Sequence, residues 1–196
     1  MLVPCGTSNK SGMFFEMTTS GAAHDFYDPD SGGQALRVRP FLISDRSFEP
    51  ARTNYFAIYR IATGAGELAV DDAIHRFGSA SLLFALPYQY LRFVPDQAVS
   101  GEIIEFHANF LCVETFHAEV GCSGRLFNDP YGIPVLSLAE PVDAEVADLI
   151  ARIGQEQSEQ ALAYMEASLA YLKVLLILAT RLKDDSGPTS GNASTA

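Results

Sequence analysis

Residues 161–182 carry two apolar seams on what the spacing predicts to be a single helix. One seam runs Leu162, Met165, Leu169, Leu172, Leu176 and Ala179. The other runs Ala161, Tyr164, Ser168, Tyr171, Leu175, Leu178 and Leu182, with Ser168 its one polar member. Both advance by alternating steps of three and four, the signature of a packed helix stripe. Successive helical residues are turned by about 100°, so the two seams together wrap much of the surface. A helix lying on one layer needs one stripe; two stripes call for two packing partners. The chain's own domain is one, and a second copy of the chain is expected as the other; the alternative is a helix buried inside its own fold. Either seam fits either partner at this level. The assignment adopted places Leu169, Leu172 and Leu176 at a dimer interface, with Leu175 and Leu178 against the domain.

The chain has 196 residues, 48% of them hydrophobic, enough for one domain with a proper core and an appendage. Its 24 acidic residues against 13 basic ones leave a net charge of -11. Such a surface repels phosphate backbones, and there is no basic cluster of the kind that follows DNA. The strongly apolar run at 174–179 is too short to span a bilayer. The N-terminus lacks the pattern of a signal peptide. Three cysteines, Cys5, Cys112 and Cys122, suit a reducing cytoplasm better than a disulfide framework. The expectation is a cytoplasmic protein with no membrane partner.

Two regions of different grammar lie between polar ends. Residues 1–12 read as a disordered N-terminus and 184–196 as a flexible tail or linker. From 13 to 140 the chain is mainly short strands with turn punctuation. Candidate strands are 35–44, 54–63, 66–71, 74–77, 81–86, 91–94, 101–107, 116–120, 125–127 and 135–138. Asp71-Asp72 reads as a hairpin turn, and 108–113 as a single helical turn. From Pro141 to Lys183 the pattern is helical. Asp143 is the expected N-cap of a first helix with the stripe Val146, Leu149, Ile150 and Ile153, ended or bent by Gly154. A second helix is expected over 156–183. Many strands followed by two helices predict a mostly β fold, a small barrel or sandwich with a helical appendage.

Three stretches resemble the N-terminal domain of AraC-type transcription regulators. The first contains the strand Asn54 to Arg60, the turn Thr63-Gly64-Ala65-Gly66, Gly78 followed by Leu82-Leu83-Phe84, and then Leu86-Pro87-Tyr88-Gln89-Tyr90. The second, the most specific, contains Phe106-His107-Ala108-Asn109-Phe110-Leu111-Cys112 and Glu119 to Asn128. The third is Ala170 to Leu176. The resemblance implies a cupin-like barrel, a double-stranded β-helix, followed by an antiparallel helix pair at 141–183 that dimerises. It also implies a small-molecule effector and contact with DNA only through helix-turn-helix units absent from this chain. The position and composition of 184–196 favour a domain excised ahead of such units.

In metal-dependent cupins the ligands would fall at Ala57, near Ala51 and Thr53, and near Tyr90 or Leu91, none of which suits that role. A stand-alone cupin enzyme is therefore disfavoured, and no metal, cofactor or catalytic residue is expected. His107, Cys112, His117 and Cys122 have zinc-binding types, but a spacing of five does not gather them on one face. Glu67, Asp71 and Asp72 read as solvated turn residues rather than acid–base carboxylates. What remains is a ligand pocket in the barrel. Phe41, Phe56, Tyr59, Phe84, Phe93 and Phe106, with Arg37, Arg39 and Arg60, suit an organic anion or a sugar-like ring. Arg37, Tyr59, Phe84 and Phe106 are the candidate ligand contacts. A third reading is a structural dimerisation module whose barrel is filled by its own side chains.

Overall fold

Two sheets and a helix pair form three layers, as shown by a computed structural model that describes residues 35–44, 46–107, 126–127 and 134–185. Among the described residues there are eight strands: β1 (Leu36–Ile43), β2 (Tyr55–Thr63), β3 (Gly66–Val70), β4 (Ala73–Phe77), β5 (Ser81–Ala85), β6 (Leu91–Pro95), β7 (Val99–His107) and β8 (Val135–Ser137). Two helices follow, α1 (Val142–Glu159) and α2 (Tyr164–Asp185). The larger sheet has the order β1-β7-β2-β5-β8 and the smaller β4-β3-β6, with all pairings antiparallel. This is a mostly β, cupin-like barrel followed by a helix pair. No helix among the described residues is long and apolar enough to cross a membrane.

The larger sheet sits in the middle, and side-chain alternation divides its residues between two cores. Phe41, Ile43, Ala57, Tyr59, Ile61, Leu83, Ala85, Val99 and Ile103 face the smaller sheet, where Leu68, Phe77 and Phe93 meet them. Leu36, Phe56, Ile58, Leu82, Phe84, Ile104, Phe106 and Leu136 face the other way, under the helices. β2 buries every residue from 55 to 61 because both of its faces are covered. Two glycines make the closure possible. Gly64 turns the β2–β3 connection at φ +97°, a region L side chains rarely adopt. A Cβ at Gly101 would collide with the backbone carbonyl of Arg60, beside the bulge at Ile61/Thr63.

The strand expectations at 35–107 and 135–138 correspond to β1–β8, and Asp71, at φ 49°, occupies the predicted hairpin turn. The expected pieces at 108–113 and 116–120, the terminus at 1–12 and residues 186–196 of the expected tail lie outside the described residues; 184–185, expected in that tail, close α2, and 126–127, expected in a strand, form a turn. The helices depart from expectation in three ways. First, Asp143 is not an N-cap: the cap residue is Pro141, with no side-chain cap bond, and Asp143 stands in the first turn, paired with Arg60. Second, Gly154 does not end α1, which continues to Glu159. Ile150 and Ile153 are buried, and such packing outweighs glycine's cost of about 1 kcal/mol within a helix. The helix stops at Gln160, whose left-handed backbone (φ 47°, ψ 41°) directs its N–H to the Glu156 carbonyl. Third, α2 begins at Tyr164 rather than 156.

The inward face of α2 also differs from the two-seam assignment. Ser168, Leu172, Leu175, Leu176, Ala179 and Thr180 are buried within the single chain, a stripe that straddles both seams. Leu172 and Leu176 are fully buried against α1 and the sheet, so neither is available to a second subunit. Leu169 and Leu178 are half-buried at the borders of this stripe. The inward arc is wide because α2 packs on α1 and β8 at once, which alternation of threes and fours along one helix does not reveal.

One polar atom in this stripe is orphaned. The Ser168 hydroxyl is buried without a hydrogen-bond partner among the described residues, whereas the Thr180 hydroxyl donates to the Leu176 carbonyl at 2.8 Å. An unmade bond costs the desolvation of the group, roughly 1–3 kcal/mol. Ser168→Ala is therefore expected to stabilise the fold by about 1 kcal/mol in urea unfolding with an unchanged m value. A loss of stability would show that the hydroxyl is satisfied.

Candidate ligand-binding site

The polar residues of the cup gather at one end of the central sheet. On the face turned toward the smaller sheet, β1 places Arg37 and Arg39 in phase with Phe41 and Ile43, and β7 places Glu105 in phase with Ile103. Arg37 stands directly opposite Glu105 in the ladder. Its guanidinium grips the carboxylate with two bonds, Nε to Oε2 at 2.8 Å and Nη2 to Oε1 at 3.2 Å. Arg39 Nε donates to the same Oε2 at 2.9 Å. The Glu105 side chain is 7% exposed, against 26% for Arg37 and 38% for Arg39. One nearly buried carboxylate thus holds two guanidinium groups that lead out toward solvent, a charge-assisted arrangement with fixed geometry. Arg37 also lies over the Tyr55 ring at 5.0 Å, and Tyr55 meets His107 edge-on.

Tyr59 projects into the same cup from β2. It is 3% exposed, and its ring packs edge-on to Phe41 at 5.7 Å and tilted against Phe93 at 5.2 Å. Burial pushes its phenol pKa well above the usual value; the negative charge of Glu105 adds to the shift and Arg39 opposes it. Ala57, where the resemblance to metal-dependent cupins would need a glutamate, lies between Tyr55 and Tyr59, opposite Ala85 and Glu105. Among the described residues no group of three His, Cys, Asp or Glu side chains is placed to hold a metal ion. Of the histidine–cysteine series only His107 is described. Of the acidic group at the hairpin, Asp71 lies in the turn and accepts from Gln89 and the Tyr90 N–H, whereas Glu67, expected there too, lies within β3 and accepts from Arg76 across the β3–β4 pair.

Of the four predicted ligand contacts, Arg37 and Tyr59 share the cup and Phe84 and Phe106 do not. Phe84 and Phe106 point the other way, into an aromatic cluster with Phe56 and Phe127. There Phe56 stacks on Phe106 at 5.5 Å, and Phe127 meets Phe56, Phe84 and Phe106 edge-on at 5.0, 5.6 and 5.8 Å. The six candidate aromatic residues therefore divide in two, Phe41, Tyr59 and Phe93 within the cup and Phe56, Phe84 and Phe106 beneath the helices. Arg60 also belongs to the outer face. It is 8% exposed and pairs with Asp143 of α1 at 2.8 Å and with Glu102 at 3.1 Å. Burial alone would lower the Arg60 pKa, but hydrogen bonds to the two carboxylates outweigh this and raise it. Sequence reasoning missed Glu105; the available signal was the one acid of β7 in the phase of Val99 and Ile103.

No family model matches the chain, and no curated protein matches it. Its fold is similar to that of solved structures. The AraC-like transcriptional activator CuxR matches over 75% of this chain and 52% of its own, with a TM-score of 0.52 and 11% identity. A cupin 2 conserved barrel domain protein from Rhodopseudomonas palustris overlaps 41% of this chain and 56% of its own at a TM-score of 0.33 and 19% identity. The EutQ protein of Clostridium difficile overlaps 38% and 58% at 0.34 and 16% identity. The chain thus spans between half and two thirds of each. The likeness to the activator, at 11% identity, is one of fold.

The Tyr59 environment has a measurable consequence. An unfolded tyrosine ionises near pH 10. With the native value raised, the contribution of Tyr59 to stability is intact below about pH 10 and is lost as pH rises toward the native pKa. Tyr59→Phe is expected to flatten the alkaline fall in stability. It should also leave the tyrosinate absorbance step of the folded protein near pH 10–11 at its wild-type amplitude. A step reduced by one of the eight tyrosines would place this phenol in solvent.

Proposed function

We propose that this chain is the effector-sensing and dimerising domain of an AraC-type transcription regulator, acting on DNA through helix-turn-helix units outside the residues considered. The observation that carries the reading is the two-sided use of one sheet. The strands that present Arg37, Tyr59 and Glu105 to the cup present Leu36, Phe56, Ile58, Ile104 and Phe106 to the helices. A ligand that shifts those strands bears on the helix pair without any intermediate layer. Such coupling needs only about 1–3 kcal/mol. The likeness in fold to the AraC-like activator, over 75% of this chain, supports the same reading.

The effector is a small organic anion or sugar-like molecule. Arg37 and Arg39 supply its polar contacts, and the Tyr59, Phe41 and Phe93 rings supply an apolar wall. The cup binds this molecule and does not transform it. A thermal-shift panel of small carboxylates and monosaccharides tests this with the wild type and Arg37→Ala. A ligand at about 100 times its Kd stabilises by about 2.7 kcal/mol, so a clear rise in Tm is expected for one class, lost in Arg37→Ala. A Tm unmoved across the panel favours a barrel filled by its own side chains.

The second copy sits on the outward side of α2. Ala170 and Val174 are exposed there, with Ile177 and Leu178 half-buried beside them. Their spacing makes a stripe. Val174→Asp is expected to give a monomer in sedimentation velocity with the far-UV spectrum intact. Leu172→Asp would instead destabilise the chain itself, since Leu172 is a core residue. A dimer that survives Val174→Asp moves the interface off this face.

A further inference from the structure

The side-chain amide of Gln157, near the end of α1, takes the place of a neighbouring strand along the outer edge of β1. Its Oε1 accepts from the Val38 N–H at 3.1 Å, and its Nε2 donates to the Leu36 carbonyl at 2.8 Å. β1 is an edge strand with β7 on its other side. The two backbone groups held by Gln157 flank Arg37, the residue whose guanidinium grips Glu105 inside the cup. At its other end α1 is tied through Asp143 to Arg60, the residue after Tyr59. The two ties are about 21 Å apart along the helix, at 1.5 Å per residue. Each grips the sheet at a residue adjacent in sequence to one that faces the cup. Between them α1 makes apolar contacts through Val146, Leu149, Ile150 and Ile153. Those contacts tolerate small sliding; a two-bond amide clamp on a strand edge has one register.

We propose that Gln157 is a positioning residue that couples Arg37 in the cup to helix α1, so that a change at the Arg37–Glu105 pair is transmitted to the helix pair through this clamp. The proposal rests on reading that end of the cup as the effector contact. The simpler role for Gln157 is to cover the open edge of β1. The two roles separate in a double-mutant cycle: an edge cover makes its effect independent of the cup, whereas a coupling residue does not.

The cup is perturbed by Glu105→Gln, which removes the charge shared by Arg37 and Arg39. The clamp is removed by Gln157→Leu, which keeps most of the side-chain bulk and lacks both hydrogen-bonding groups. Hydrogen exchange is measured for the backbone amides of residues 153–159 in the full chain for the wild type, both single variants and the double variant. Glu105→Gln is expected to speed exchange there about fivefold or more, the lower end of typical coupling. In the Gln157→Leu background the same change is expected to have an effect of less than about twofold. An equal fold-change in both backgrounds overturns the proposal. So does unchanged exchange in α1 when the cup is perturbed. Arg37→Lys, which keeps the charge but loses the two-bond grip, serves as the second cup variant should Glu105→Gln fail to fold, and the same outcomes apply. The cycle uses no ligand, so a failed ligand screen and a failed coupling are distinct results.

Discussion

Strand β2 buries seven consecutive residues, and a strand buried on both faces has to lie between two apolar layers. Much of the architecture follows from this. The smaller sheet covers one face of the central sheet and the helix pair covers the other. Residues adjacent in sequence then serve different cores: Tyr59 faces the cup and Arg60 faces α1, Glu105 faces the cup and Phe106 faces the helices. Under the proposed function, this doubly covered sheet is the layer that touches both ligand and helix pair.

The charged groups buried in this sheet mark both sides of it. Arg60 and Glu105 are the buried charged residues among those described, and each is held by two partners of opposite sign. Buried ion pairs contribute little net stability, because the cost of leaving water roughly offsets the attraction. They do fix geometry, since a fork of guanidinium and carboxylate has one good orientation. The Glu105 cluster shapes the polar end of the cup; the Arg60 pair sets where α1 begins on the sheet. Gln157 adds a neutral clamp at the far end of the same helix.

The strands were legible because turn residues punctuate them: Gly64, Gly66, Gly78 and Pro87 stand at or beside the breaks found between β2 and β6, whereas Gly101 lies inside β7 beside the bulge. The helix boundaries were less so. Gly154 carries an end signal that buried Ile150 and Ile153 override, and Asp143 carries a cap signal that the Arg60 pairing uses up. On α2 the two seams were correctly apolar but wrongly divided, since the buried stripe takes Leu172, Leu175 and Leu176 together. Half of the candidate site was legible. Arg37 and Tyr59 lie in the cup, whereas Phe84 and Phe106 required a strand phase that an all-apolar run does not disclose.

The sequence by itself determined a run of strands ahead of two helices, a net charge of -11, and a closing helix that is apolar over more than one narrow stripe. These follow from local periodicity and composition, which need no knowledge of distant residues. Only the tertiary structure decided which side of the central sheet each aromatic and each arginine serves, that Glu105 gathers Arg37 and Arg39, and that Gln157 reaches across 121 residues of chain to the Leu36 carbonyl. Those outcomes depend on strand pairing and layer order, and partners so far apart in sequence leave no periodic trace in it.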